Sequence, residues 1–212
     1  MAGAAAHAAD RRVVVDPNLP PWNAVAKVQS NTGTRCTGVL IAPAVVLTAA
    51  HCLYNRRTRA LLQPVSLHVL FGYQRARYRW HRLVAHFTVG RGFDGGKPAP
   101  QPSDWARLDL AAPVPTPPLP RFAGSPNPDL AVMLAGYNQD RAQLLMADRA
   151  CHLEGVGKLP DGAEILLHDC DGTSGTSGGP LLARQGAGWA LLGINIAAGK
   201  GANLALMPPP GE

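Results

Sequence analysis

Ser177 lies in the run Gly175-Thr176-Ser177-Gly178-Gly179-Pro180. Glycines at 175, 178 and 179 allow positive φ and a tight turn, which can aim successive backbone N–H groups into one concavity and hold an oxyanion. A serine at the centre of a stiff, exposed turn is placed as a nucleophile; the plainer alternative is a linker turn. A serine hydroxyl needs a base, and histidine serves near neutral pH. Among seven histidines, His51 stands out because it closes the small and apolar run Val45-Val46-Leu47-Thr48-Ala49-Ala50, with Cys52 beside it to pin it. The imidazole in turn needs a buried acid to fix its tautomer. Asp104 opens Asp104-Trp105-Ala106-Arg107-Leu108-Asp109-Leu110 and so stands at the mouth of a strand. Asp94 falls in a glycine-rich loop, and Asp109 faces away from the apolar positions.

The elements that must position these groups read as short strands. Runs of four to eight apolar or alternating residues recur at Ala24–Val28, Thr37–Ile41, Val45–Ala49, Val65–Phe71, Leu83–Phe87 and Ala106–Leu110. They resume at Leu130–Tyr137, Ala142–Met146, Ala163–His168, Pro180–Ala183, Trp189–Ile196 and Ala202–Met207. No 3.6-residue stripe persists for three turns, so strands are favoured over helices; Ala49–Asn55 has room for one helical turn. Between the two sets lies a segment with prolines at 113, 115, 117, 118, 120, 126 and 128. Proline cannot donate to a sheet ladder, so 113–129 is expected as an extended surface connector. The chain thus divides into a tail or leader remnant (1–12), an all-β half (13–112), the connector, a second all-β half (130–207) and a short tail (208–212).

The 212 residues, 46% hydrophobic and 16% charged, suit a globular chain with a proper core, and no apolar run approaches a membrane span. The +6 charge comes chiefly from 16 scattered arginines. The densest stretch, Arg75, Arg77, Arg79 and Arg82, alternates and reads as the solvated face of one strand. Only Tyr78 and Trp80 accompany it, too few stacking pairs for a nucleic-acid binder. Four cysteines fall as Cys36/Cys52 and Cys151/Cys170 without metal spacing. Two local disulfides are the simpler account, and they point to an oxidising compartment, secreted or periplasmic. The opening residues have too short an apolar stretch for a signal peptide.

Taken together, the residues Cys36 to Cys52 resemble the histidine block of trypsin-like serine proteases of the chymotrypsin clan. Gly175-Thr-Ser177-Gly-Gly-Pro180 is similar to their serine block, and Asp104-Trp-Ala-Arg-Leu to their aspartate strand, in the same order along the chain. Trp189–Ile196 resembles the strand lining their substrate channel. The resemblance covers most of 13–207. It implies two antiparallel six-stranded β-barrels with the active site between them, and no cofactor or metal. It also implies that Ser177 attacks a peptide carbonyl, His51 relays the proton, Asp104 supports His51, and the N–H groups of Gly175 and Ser177 form an oxyanion hole.

Departures from the pattern bear on regulation and specificity. Thr176 stands where the digestive branch has the aspartate that receives a freed N-terminus, so Arg12-Val13-Val14-Val15 is expected as an ordinary first strand rather than an activation site. Thr176 and the low cysteine count bring the chain nearer to bacterial secreted members. Asp171 lies six residues before Ser177, where a pocket-floor aspartate would select Arg or Lys by ion pairing; the alternative is a turn aspartate in Asp-Gly. Ile196, Ala197 and Ala198 replace the usual pocket wall, and Asn195 stands where glutamate-specific members carry histidine. A monomeric endopeptidase acting on protein or peptide is the leading expectation. A protease-like binding module without turnover is the alternative.

Overall fold

The structure is a computed structural model in which residues 10–198 and 202–209 are described. The architecture is all-β, with two closed six-stranded antiparallel barrels and no α-helix among the described residues. A first short strand, β1 (Arg12–Val14), precedes them. The first barrel takes β2 (Val25–Ser30), β3 (Arg35–Ala42) and β4 (Val45–Thr48). A two-residue hairpin, β5 (Tyr54–Asn55) and β6 (Ala60–Leu61), stands outside it. The barrel continues with β7 (Leu67–Phe71), β8 (Trp80–Val89) and β9 (Ala106–Leu110), in the order β2-β3-β4-β9-β8-β7, and β7 pairs back onto β2.

The second barrel holds β10 (Ala131–Gly136), β11 (Met146–Lys158), β12 (Glu164–His168), β13 (Pro180–Gln185), β14 (Gly188–Ala198) and β15 (Asn203–Leu206). The order β11-β10-β13-β14-β15-β12 closes where β11 pairs β12, and β1 adds to the outer edge of β11. Strands of the core read as near-continuous apolar runs because both of their faces are covered. Val25, Ala26, Val39, Leu40, Val46 and Leu47 are essentially inaccessible. Burying each large aliphatic side chain contributes about 1.5–3 kcal/mol, and closure pairs the first strand in each barrel's order with its last, leaving β1 and the β5–β6 hairpin as the edges among the described residues.

The proline-rich segment crosses from one barrel to the other; its non-proline residues donate the backbone hydrogen bonds, while Pro120 O accepts from Leu191 N at 2.8 Å. Val114 N donates to Pro43 O at 2.7 Å and Leu119 N to Leu40 O at 3.0 Å on the first barrel; Phe122 N then donates to Leu191 O at 2.9 Å on the second. Lys27, almost fully buried, ties the barrels together: its Nζ donates to Ala142 O at 2.9 Å and sits 4.0 Å from the Tyr73 ring centroid.

Three expectations change. The arginine-rich stretch 75–82 is not one strand: Arg75 and Ala76 have φ of 49° and 63°, and the chain turns there between β7 and β8. Ala142–Met146 is a turn leading into β11, whose 13 residues escaped notice because polar side chains and glycines fill its outward positions. Residues 10–12, expected as tail, are held by ion pairs and by pairing to β11, and Pro208 and Pro209 accept from Arg121. The tail expectation for 1–9 and 210–212 lies outside the described residues.

Candidate active site

Strand pairing sets His51 beside Asp104. In the antiparallel β4–β9 pair Thr48 faces Ala106, so the residues just after Thr48 and just before Ala106 leave the barrel at the same end. A single 3-10 turn, Ala50–Leu53, then swings His51 back toward the aspartate. Asp104, 2% exposed, accepts twice from that one residue: His51 N donates to Oδ1 at 2.8 Å, and Nδ1 to Oδ2 at 2.7 Å. A buried carboxylate can only accept, so Nδ1 carries the proton and Nε2 is left with its lone pair, the form a general base requires.

The serine loop runs from β12 to β13 and is clamped from both sides. Cys151–Cys170 anchors its start, and Cys36–Cys52 lies against its end, with Cys52 Sγ 4.0 Å from Ser177 O. Thr37 on β3, fully buried, joins the barrels at this seam. Its N donates to Ser177 O at 2.9 Å, its Oγ1 donates to Gly175 O at 2.8 Å, and the same Oγ1 accepts from Tyr137 N at 2.9 Å. Gly178 has φ of 76°, and a Cβ there would collide with Thr48 Oγ1 and Thr37 O, so only glycine lets the chain turn so close to the histidine strand.

The same clamps orient two peptide planes. Ser174 O accepts from Gln139 N at 2.6 Å, and Thr176 O accepts from Gly179 N at 2.8 Å. Across a trans peptide the N–H points opposite to the C=O. The N–H groups of Gly175 and Ser177 are therefore turned away from those partners, and neither donates to an acceptor among the described residues. Two free, fixed N–H groups flank the serine.

Next to Ser177 is a cavity of ≈ 150 Å³ bounded by Gly172, Thr173, Ser174, Asn195, Ala197 and Asn203, with Ala198. Ile196 instead lines a neighbouring cavity of ≈ 160 Å³ with His51, Asp104, Tyr54 and Phe93. Asp171 lines neither. Its N donates to Asp148 Oδ2 at 2.8 Å and its own carboxylate accepts Arg11 N at 2.8 Å, which turns it toward the N-terminal strand and away from the pocket. The expectation of a carboxylate on the pocket floor is corrected accordingly. Behind Asn195 sits His168, whose Nε2 is 3.2 Å from Asn195 Oδ1. Burial, partly offset by that hydrogen bond, pushes the His168 imidazole down to about 4. Among the described residues two groups of metal-type side chains occur, Cys36/His51/Cys52 and Cys151/Asp169/Cys170. In each, the cysteines are joined as disulfides and offer no thiolate to a metal.

Sequence reading did not single out Thr37, Asn138, Gln139 or His168. Thr37 adjoins Cys36 and Asn138 follows a strand end, but their roles depend on partners far along the chain, Gly175 138 residues from Thr37 and Thr176 38 residues from Asn138.

Two closed six-stranded barrels, with the Ser177 loop held at their seam by Thr37, define the fold class. A trypsin-like peptidase domain matches residues 36–194, and the chain belongs to the trypsin-like peptidase family. It is thereby a serine-type peptidase. Its fold is similar to that of a Glu endopeptidase solved in complex with MPD (TM-score 0.72, 21% identity, 95% of this chain and 92% of that one). It is also similar to the Vibrio cholerae VesB protease (TM-score 0.68, 15% identity, 92% of this chain and 63% of that one). A sequence search of curated proteins returned no match. Among the described residues no helix is long and apolar enough to cross a membrane.

Proposed function

We propose that this peptidase is an endopeptidase in which Ser177, His51 and Asp104 act as a triad. His51 Nε2 takes the Ser177 proton as Oγ attacks the scissile carbonyl, and the same nitrogen returns it to the leaving amine. The imidazolium formed in between is supported by Asp104. Oxyanion charge falls on the N–H groups of Gly175 and Ser177; once the amine has left, a water deprotonated by His51 Nε2 attacks the acyl-enzyme, and the proton returns to Ser177 Oγ as the acid product is released. The observation that carries this reading is the pair of bonds from His51 N and Nδ1 to one buried carboxylate, which leaves Nε2 as a base. Endpoint labelling with a fluorophosphonate probe tests it: wild type labels and Ser177→Ala does not. Equal labelling of both overturns it, and a labelled protein that cleaves no peptide favours the silent binding module instead.

Preference after Arg or Lys loses its main support once Asp171 is seen to face Arg11. A pocket bounded by Thr173, Ser174, Asn195 and Asn203 is polar, and no described residue brings a carboxylate or ammonium to it. Such a lining favours a substrate side chain that accepts hydrogen bonds, glutamine or glutamate. The two disulfides support action in an oxidising compartment, secreted or periplasmic. One chain supplies every group named, which fits a monomer.

A further inference from the structure

Arg12 lies on β1 opposite Asp148, yet its side chain is only 8% exposed and reaches across to the segment after β10. Its guanidinium is fully used. Nε and Nη2 hold the two oxygens of Asp10 at 2.8 and 2.9 Å; Nη1 and Nη2 hold those of Asp140 at 3.0 and 2.7 Å. Nη1 also donates to Asn138 Oδ1 at 2.8 Å and approaches Thr173 Oγ1 at 3.4 Å. Asn138, 1% exposed, is a hub. Its Oδ1 receives Thr173 N at 2.9 Å and Thr176 Oγ1 at 2.8 Å, and its Nδ2 donates to Gly136 O at 3.0 Å. The next residue, Gln139, carries the N–H that holds Ser174 O and so aims the Gly175 N–H.

We propose that Arg12 is a positioning residue for the oxyanion hole, acting through Asn138, Asp140 and Gln139 on the Ser174–Gly175 peptide. It rests on the catalytic reading above. The physical case is that a serine loop of glycines has little stiffness of its own, and Thr176 brings no charge to fix it. A guanidinium held bidentately by Asp140 is a rigid, charge-assisted strut that a neutral loop lacks. Arg12 keeps the carboxyls of Asp10 and Asp140 below the usual carboxylate range, Asp10 at about 2, so the strut stays charged across the working pH. Without it, Asp140 loses its counter-charge, the 138–141 turn loosens, and the 174–175 peptide is free to flip. Arg11 provides the internal comparison: it pairs with Asp148, Asp169 and Asp171 but touches neither Asn138 nor Asp140.

The test is kcat per labelled serine on a short peptide substrate, with KM and affinity for a peptide-aldehyde transition-state analogue measured alongside. Arg12→Ala is expected to lower kcat about 10- to 100-fold, short of the ~10²–10³ lost when an oxyanion donor is removed outright. KM should change less than about threefold, while analogue affinity should fall in step with kcat. Methylguanidinium added at millimolar concentration should restore part of the rate. Arg11→Ala should lower the melting temperature and leave kcat alone. Where Arg12→Ala does not fold, Asp140→Asn serves, with an expected three- to tenfold loss in kcat. Wild-type kcat in either variant, or a rate loss matched by Arg11→Ala, overturns the proposal. A wild type that neither labels nor hydrolyses overturns the catalytic reading and this inference with it.

Discussion

His168 Nε2 and Asn195 Oδ1 face each other at 3.2 Å, and the direction of that bond is set by the other ring nitrogen. Cys170 N donates to His168 Nδ1 at 3.3 Å, so Nδ1 accepts and the ring proton sits on Nε2. The Asn195 oxygen therefore faces the histidine. Its amide NH₂ makes no hydrogen bond to the described residues, and Asn195 borders the pocket beside Ser177. The pocket gains a donor from an uncharged relay.

From this follows the selectivity expected in a panel of peptides varied only at the residue before the cleaved bond. Glutamine and glutamate should exceed lysine and arginine in kcat/KM. Asn195→Leu should remove about 1.5–3 kcal/mol of discrimination, ~10- to 100-fold, as expected when a buried acceptor loses its donor. An unchanged panel in Asn195→Leu would dismiss the role of the amide.

Stability should respond to the same histidine. Its imidazole stands near 6.5 in the unfolded chain and about 4 when buried. Between those values the unfolded chain binds a proton that the folded one refuses, so stability is full above pH 6.5 and declines as pH falls toward 4. The loss attributable to this group is on the order of 3 kcal/mol over that window. Urea midpoints at pH 7 and 4.5 check it: His168→Gln should flatten that part of the slope. An equal slope in both proteins removes His168 as its cause.

The strands, and the motifs around His51, Asp104 and Ser177 whose resemblance implied two barrels, were legible because they rest on local signals: alternating apolar runs, prolines that cannot pair, and glycines around a serine. What was not legible depends on distant pairings. Asp171 has the right spacing for a pocket floor, and only the approach of Arg11 from 160 residues away shows it turned elsewhere. Arg12 reads as a strand residue or a cleavage point, because nothing near it in sequence announces Asn138 and Asp140. The 75–82 turn failed for a different reason: alternation of arginines mimics a strand, whereas left-handed φ at Arg75 and Ala76 is invisible in residues that usually avoid it.

Thr37 carries more than its size suggests. Thr37→Val keeps the shape and deletes the hydroxyl, leaving Tyr137 N and Gly175 O buried without partners. About 2–3 kcal/mol of stability should be lost, with a fall in kcat as the Gly175 region loosens. Thr37→Ser should recover most of both. Valine as good as wild type would remove Thr37 from the clamp.

The Cys36–Cys52 bridge closes a 16-residue separation. Loop-closure entropy puts its contribution at about 3 kcal/mol. The double variant Cys36→Ala/Cys52→Ala should therefore melt well below wild type and lose activity earlier on heating than Ser177→Ala loses structure. An unchanged melting temperature would show that packing of the barrel alone fixes the histidine turn.

Asp104→Asn isolates the tautomer argument. Both carboxylate oxygens accept from His51, one from the backbone N–H and one from Nδ1–H. The backbone N–H can only donate, so the asparagine must place its oxygen there and turn its NH₂ toward the ring. Nδ1 then has to accept, the proton moves to Nε2, and the base that the proposed triad requires is gone. The fold should survive, since hydrogen bonds and volume are nearly conserved, while kcat should fall about 10⁴-fold, the loss established for this exchange in the trypsin triad. Circular dichroism together with turnover per milligram of protein decides it. A folded Asp104→Asn enzyme within tenfold of wild type would mean that His51 obtains its tautomer from another partner.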